Sequence, residues 1–243
     1  MKLVWLLAAA AIALEIPYPL VHGDARNALT IATVVVFATA SVTHAALSRS
    51  PRYVLALVAI FGIGGFAAEA IGVHSGVPFG DYRYTGGLGT SVLDVPLVVA
   101  LAWVMMAHPA ITVADRLTHG WRRVAVAVLA LAAWDVFLDP QMVDAHHWRW
   151  ADPSPHLPGV PMVPLTNFAG WLLVSLVLMT LLHGAARRER SRNDGPAVVL
   201  WVWTWLSSTL ANLVFFHRPA VAGWGFIAMG LVGVPLLLRS RRS

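Results

Sequence analysis

The sequence predicts an all-α fold: a polytopic transmembrane helical bundle of about eight spans, one integral membrane domain over 1–243, with N- and C-termini cytoplasmic. Three observations predict it. The 243 residues are 58% hydrophobic and 12% charged, where a soluble domain carries about 25% charged residues. The apolar residues come in separate runs of about 18–20, the length that crosses a ~30 Å hydrocarbon core as a helix. The alternating ~10-residue pattern of a β-barrel is absent. The basic residues then fall on alternate connections.

Taken in order, the spans lie near 3–20, 28–47, 53–71, 92–108, 122–139, 165–183, 197–216 and 222–238. The first resembles a signal peptide, because Lys2 precedes an Ala-rich run. Glu15 and the Pro17-Tyr18-Pro19 turn favour a retained helix instead. Pro140 is expected to end the fifth span and leave Asp139 at the mouth of a pocket. With the N-terminus inside, the inner segments hold Lys2; Arg49 and Arg52; Arg116, Arg122 and Arg123; Arg187, Arg188, Arg190 and Arg192; and Arg239, Arg241 and Arg242. The outer segments hold only Arg26, Arg83, Arg149 and Arg218. This is the positive-inside pattern. It also explains the high isoelectric point without invoking nucleic acid, because the basic residues are scattered among short loops.

Two outer connections, 72–91 and 140–164, are long and rich in Gly, Pro, His and Trp. Their aromatic content predicts ordered caps over the bundle. The chain has no cysteine, which excludes disulfides and thiolate chemistry. Lys2 is the only lysine, so no intramembrane lysine exists for a retinal Schiff base. The ten histidines contain no His-x-x-x-His pair, adjacent His146 and His147 are a weak metal signal, and no Gly-x-Ser-x-Gly elbow occurs.

Nine of the twelve carboxylates fall at or near the outer side, among them Glu15, Glu69, Asp81, Asp135 and Asp139, with Asp115, Glu189 and Asp194 inside. A carboxylate within a span costs several kcal/mol unless paired, neutralised or watered, and so is a functional candidate. The plain structural alternative bonds these acids to Arg83, Arg149 or indole N–H groups. Asp135 and Asp139, four apart, share one helix face and do not ionise independently. The glycine-rich segment 72–85 lacks the Gly-Lys-Ser/Thr of a phosphate loop, but its Asp81, Tyr82, Arg83 and Tyr84 offer donors, acceptors and aromatic faces beside Glu69. Of the eleven tryptophans, interfacial belts account for most, Trp5 and Trp148 included. Trp103, Trp134 and Trp171 are candidates to line a cavity, where indole faces stabilise cations. Asn167, at the outer start of a span, reads first as a helix cap.

Five stretches resemble the CruF-type carotenoid biosynthesis family of membrane hydratases. They are Glu69-Ala70-Ile71-Gly72-Val73; Gly76-Val77-Pro78-Phe79-Gly80-Asp81-Tyr82-Arg83-Tyr84; Val95-Pro96-Leu97 leading to Ala102-Trp103; Ala133-Trp134-Asp135-Val136-Phe137-Leu138-Asp139-Pro140-Gln141-Met142-Val143; and Pro164-Leu165-Thr166-Asn167-Phe168-Ala169-Gly170-Trp171. They cover about residues 66–172, with one departure at Pro161-Met162-Val163-Pro164, where a shorter connection is expected. The resemblance implies water addition across the terminal C1–C2 double bond of an acyclic carotenoid end. Such a protein would sit in the cell membrane, take a lipid-soluble carotenoid as partner and need no metal, nucleotide or redox cofactor. Other carotenoid-pathway enzymes are further implied partners. Asp139, Asp135, Glu69 and Asp81 are the catalytic candidates, with Asp139 or Asp135 as acid and Glu69 or Asp81 orienting water. Tyr82, Arg83, Tyr84, Trp103, Trp134, Asn167 and Trp171 are the substrate-binding candidates. Two other classes stay open. An intramembrane prenyltransferase would use Asp-x-x-x-Asp for magnesium diphosphate, with Arg83 and Arg149 as the main basic residues. A non-catalytic carotenoid binder would need the aromatic cavity without the clustered acids.

Overall fold

A computed structural model describes residues 1–186 and 193–240. Arg187, Arg188, Glu189, Arg190, Arg192, Arg241 and Arg242 lie outside the described residues, and with them part of the inner-loop charge. Among the described residues eight helices are long and apolar enough to cross a membrane. They are α1 (Lys2–Glu15, continued by a 3₁₀ turn at Tyr18–Leu20), α2 (Gly23–Ser48), α3 (Pro51–Ser75), α4 (Leu97–Leu117), α5 (Trp121–Asp144), α6 (Leu165–Ala185), α7 (Gly195–Phe215) and α8 (Pro219–Ser240). An even number of crossings puts both termini at one end of the bundle, opposite a cap built from residues 76–96 and 145–164.

Helices α4 and α5 form the centre, with most of the α4 face buried from Trp103 to Asp115. Pro109 lies inside α4 and cannot bond the carbonyl of Met105. That freed carbonyl accepts instead from Ser41 Oγ of α2 at 2.8 Å, so the helix continues and the lost bond becomes an interhelical one. This is why α4 runs to Leu117 rather than stopping near 108. Its start is later than the hydropathy suggests, at Leu97 rather than 92, because Ser91–Val92 and Val95–Pro96 (β2 and β3) pair as a hairpin. The turn residues Leu93 and Asp94 both have positive φ, 48° and 59°, the geometry that matches strand twist in a two-residue loop.

At the terminal end, polar side chains are buried and paired. Arg123 Nε donates to Asp115 at 2.7 Å, and Arg49 reaches Asp194 at 3.0 Å. Between them and the bundle centre Tyr53, His108 and His44 form a chain at 2.9 and 2.7 Å. The chain has one consistent direction. Asn193 offers His44 Nε2 only a carbonyl, at 2.9 Å, so His44 Nε2 donates, His44 Nδ1 accepts from His108 Nε2, and His108 Nδ1 accepts from the Tyr53 hydroxyl. These groups tie α2, α3, α4 and the start of α7 together, away from the acid-lined cavity.

The cap is ordered by a three-residue strand pair, Tyr82–Tyr84 (β1) and Trp148–Trp150 (β4), in antiparallel register with Tyr82 opposite Trp150, Arg83 opposite Arg149 and Tyr84 opposite Trp148. Side chains alternate across a strand. Tyr82, Trp148 and Trp150 are buried and Tyr84 is half-buried, while Arg83 and Arg149 are exposed. The short strands are a local addition to an otherwise helical bundle.

Candidate active site

Glycines let the cap approach the helices closely. A Cβ at Gly72 of α3 would lie 2.7 Å from the Phe79 ring, and one at Gly170 of α6 would lie 2.7 Å from the Pro78 carbonyl oxygen. Phe79 therefore wedges between α3 and α6, 1% exposed, and its carbonyl accepts from Trp150 Nε1 at 2.9 Å. This seat holds β1 directly over Glu69.

Glu69, in the last turns of α3, is buried and accepts three hydrogen bonds. Tyr82 and Tyr84 hydroxyls reach Oε2 at 2.5 and 3.0 Å, and Trp103 Nε1 reaches Oε1 at 3.1 Å. Burial pushes both phenols well above the usual tyrosine range, and the neighbouring Glu69 carboxylate adds to it. Both remain protonated donors at any physiological pH. Trp103 is held in place by α3, since a Cβ at Gly65 would come within 2.5 Å of its ring.

The Asp135 and Asp139 side chains are also buried. One Asn167 amide nitrogen bridges them, donating to Asp135 Oδ2 at 2.8 Å and to Asp139 Oδ2. Asp139 Oδ1 accepts from Trp148 Nε1 at 3.1 Å. Asp135 Oδ1 is buried with no partner among the described residues. The structure differs from two sequence expectations. Helix α5 continues through Pro140 to Asp144, because the following turn is buried at Met142 and anchored by the His147 N–H on the Met142 carbonyl, at 2.9 Å. Asp139 is thus held on a helix rather than at its frayed end. Asn167 is no cap: α6 starts behind Pro164, and the Asn167 amide is turned inward to the acid pair.

Both acid centres open on one cavity of about 410 Å³, within the range of small-molecule sites. Glu69, Asp139, Tyr82, Tyr84, Asn167, Trp103, Trp134 and Trp171 all line it. Trp103 and Trp171 stack at 4.2 Å and 12°, and Trp134 meets Trp171 edge-on at 6.0 Å. Apolar walls come from Val34, Phe37, Val98, Val99, Leu138 and Met142, and the lining reaches Ile16 of the α1 turn and Leu210 of α7. Those two side chains are also 61% and 56% exposed on the outer surface of the bundle. The cavity wall therefore continues to the lipid-facing side between α1 and α7.

Asp81 and Arg83 stand apart from this arrangement. Asp81 is exposed and absent from the cavity lining, and strand alternation turns Arg83 outward. Asp135 sits behind Asp139 rather than on the cavity wall. Trp148 was expected at an interface but is a buried donor to Asp139. The period-two pattern of Tyr-Arg-Tyr and Trp-Arg-Trp is the sequence signal that could have placed it. The acids are held by phenol, indole and amide groups, with no arginine among their partners in the described residues.

No solved structure matches the chain. Over 188 residues it is 26% identical to bisanhydrobacterioruberin hydratase of Haloarcula japonica, an alignment covering 71% of this chain and 62% of that protein, so the chain spans less than two thirds of the relative's length. Residues 30–235, nearly the whole bundle and all of the acid-lined cavity except its α1 side, match the carotenoid biosynthesis protein family, and the chain belongs to that family.

Proposed function

We propose that this multi-pass membrane protein is a carotenoid hydratase that adds water to the terminal C1–C2 double bond of an acyclic carotenoid end. One observation carries the reading: two differently supported acid centres face one aromatic, mostly apolar cavity. Glu69 receives three donors and gives none, an environment that suits an anion. The Asp135–Asp139 pair has two donors for two carboxyl groups, an environment that suits a shared proton.

The chemistry then assigns roles. The Asp pair, through Asp139 on the wall, delivers a proton to C2. The C2–H bond forms as the π bond breaks, leaving a tertiary cation at C1. The faces of Trp103, Trp171 and Trp134 stabilise that cation. Water attacks C1 and loses a proton to the Glu69 carboxylate, and return of that proton to the Asp pair restores the site. Protons balance, and the product is a tertiary alcohol. The hydratase name of the Haloarcula relative supports the same reaction type.

We also assign the protein to the cell membrane with its terminal end cytoplasmic, on the basic-residue distribution. The substrate would arrive laterally from lipid between α1 and α7. Expression in a host that makes an acyclic carotenoid, followed by mass spectrometry of the pigments, tests the proposal. Hydration adds the mass of one water per reacted end. Unchanged end groups would leave a non-catalytic binder, and loss of activity on EDTA treatment would favour diphosphate chemistry.

A further inference from the structure

The same cavity has a second polar region that the proposed hydration does not use. Glu15, at the end of α1, lies on its wall and accepts a hydrogen bond from Trp203 Nε1 of α7 at 2.7 Å. Among the described residues Glu15 makes no ion pair. Thr30 and Thr33 of α2 and Thr204, Ser207 and Ser208 of α7 line the wall with it. Thr30 and Thr204 donate to carbonyls within their own helices, at 2.9 Å each, leaving their oxygens able to accept. Thr33 Oγ1 is buried without a partner among the described residues.

A carboxyl group with a single indole donor and a buried hydroxyl with no partner among the described residues each carry a desolvation cost. A wall of apolar side chains would suffice if this part of the cavity held only hydrocarbon. The group complementary to a carboxylate acceptor ringed by hydroxyls is one that both donates and accepts on a single oxygen.

We propose that Glu15, Trp203 and the surrounding Ser and Thr side chains form a hydroxyl subsite. It accepts an O–H into the Glu15 carboxylate while Thr33 or a serine donates back. Two sources fit: an alcohol carried by the polyene away from the reacting bond, or a water held in reserve for the reaction. The proposal deepens the hydratase reading by giving the cavity a polar contact separate from the acid pair.

The test uses the purified full chain in detergent and two probes, an acyclic polyene hydrocarbon and the same polyene with a tertiary alcohol at one end. Binding is followed by pigment absorbance on mixing, before product accumulates, and hydration is followed separately by mass spectrometry of the pigment. A charge-assisted hydrogen bond predicts a preference of roughly tenfold for the alcohol, abolished in Glu15→Leu and reduced in Trp203→Phe. Glu15→Gln, which retains an acceptor for the indole, controls for folding. A polyene-borne hydroxyl is the source if that preference appears. Water is the source if both probes bind equally but Glu15→Leu slows hydration of the hydrocarbon at least tenfold with its binding unchanged. Equal binding and unchanged turnover overturn the subsite while leaving the hydratase reading intact. Failure of both probes to bind wild-type protein overturns both.

Discussion

Trp148 of the cap donates its indole N–H to Asp139 of α5 across 3.1 Å. A residue from a loop outside the bundle thereby completes an acid centre inside it. The cap is part of the site: β1 supplies two donors to Glu69 and β4 supplies one to Asp139.

Replacing Asp139 by Asn should lower hydration by about 10²–10⁴, the range for loss of a positioned acid, with the protein still folded. Asp135→Asn should cost less, because Asp135 lies behind the wall and acts through its partner. Pigment ratios at matched protein levels measure both. Equal, near wild-type activity in the two variants would remove the pair from the mechanism.

Glu69→Gln should also abolish most product, since the amide cannot take a proton from water. Whichever way the amide turns, its NH₂ would face a donor: the two phenols on one side or the Trp103 indole on the other. Stability should fall by about 1–3 kcal/mol, the usual cost of leaving buried polar groups mismatched. Asp81→Asn, on the exposed cap surface, should leave hydration within about twofold. An Asp81 variant as inactive as the Glu69 variant would place part of the reacting centre outside this cavity.

Gly65→Ala places a methyl group against Trp103, where 2.5 Å of space is available. The ring must shift, loosening both its stack on Trp171 and its bond to Glu69. Overpacking of this kind costs about 1–3 kcal/mol. A lower thermal midpoint with activity reduced more than tenfold is expected. Gly184→Ala, with open space around the site of the added carbon, should change neither.

The cap should have a defined pH window. Burial lowers the His147 imidazole below its ordinary 6.5, with its Nδ1–H bonded to the Gly86 carbonyl. An unfolded chain then binds the proton first, so this contribution is full above about pH 6.5 and declines as pH falls below it. Tyr82 and Tyr84 are raised above 10.0, so their contribution is full below about pH 10 and is lost as pH rises further. Thermal unfolding in detergent from pH 5 to 11 should show a plateau between these limits. Tyr82→Phe should weaken the alkaline decline and leave the acid one unchanged.

The amino-acid sequence by itself determined the membrane bundle, its eight crossings and the identity of the intramembrane acids. Those properties follow from run length and the cost of charge in hydrocarbon, which are local. Trp103, Trp134 and Trp171 were legible as cavity residues for the same reason. The Asp135–Asp139 pairing was legible too, from a spacing of four on one helix, but only the tertiary structure decided which side chains hold each acid. Asn167 joins Asp135 to Asp139 from another helix, Tyr82 and Trp103 reach Glu69 from opposite sides, and Ser41 rescues the carbonyl that Pro109 frees in α4. A cross-helix hydrogen bond depends on two side chains brought together by packing, and neither carries the other's position in its own neighbourhood. Asp81 and Arg83 show the same limit from the other side: both border the site in sequence, but the pleat of a three-residue strand sends Arg83 to the surface and Tyr82 to Glu69.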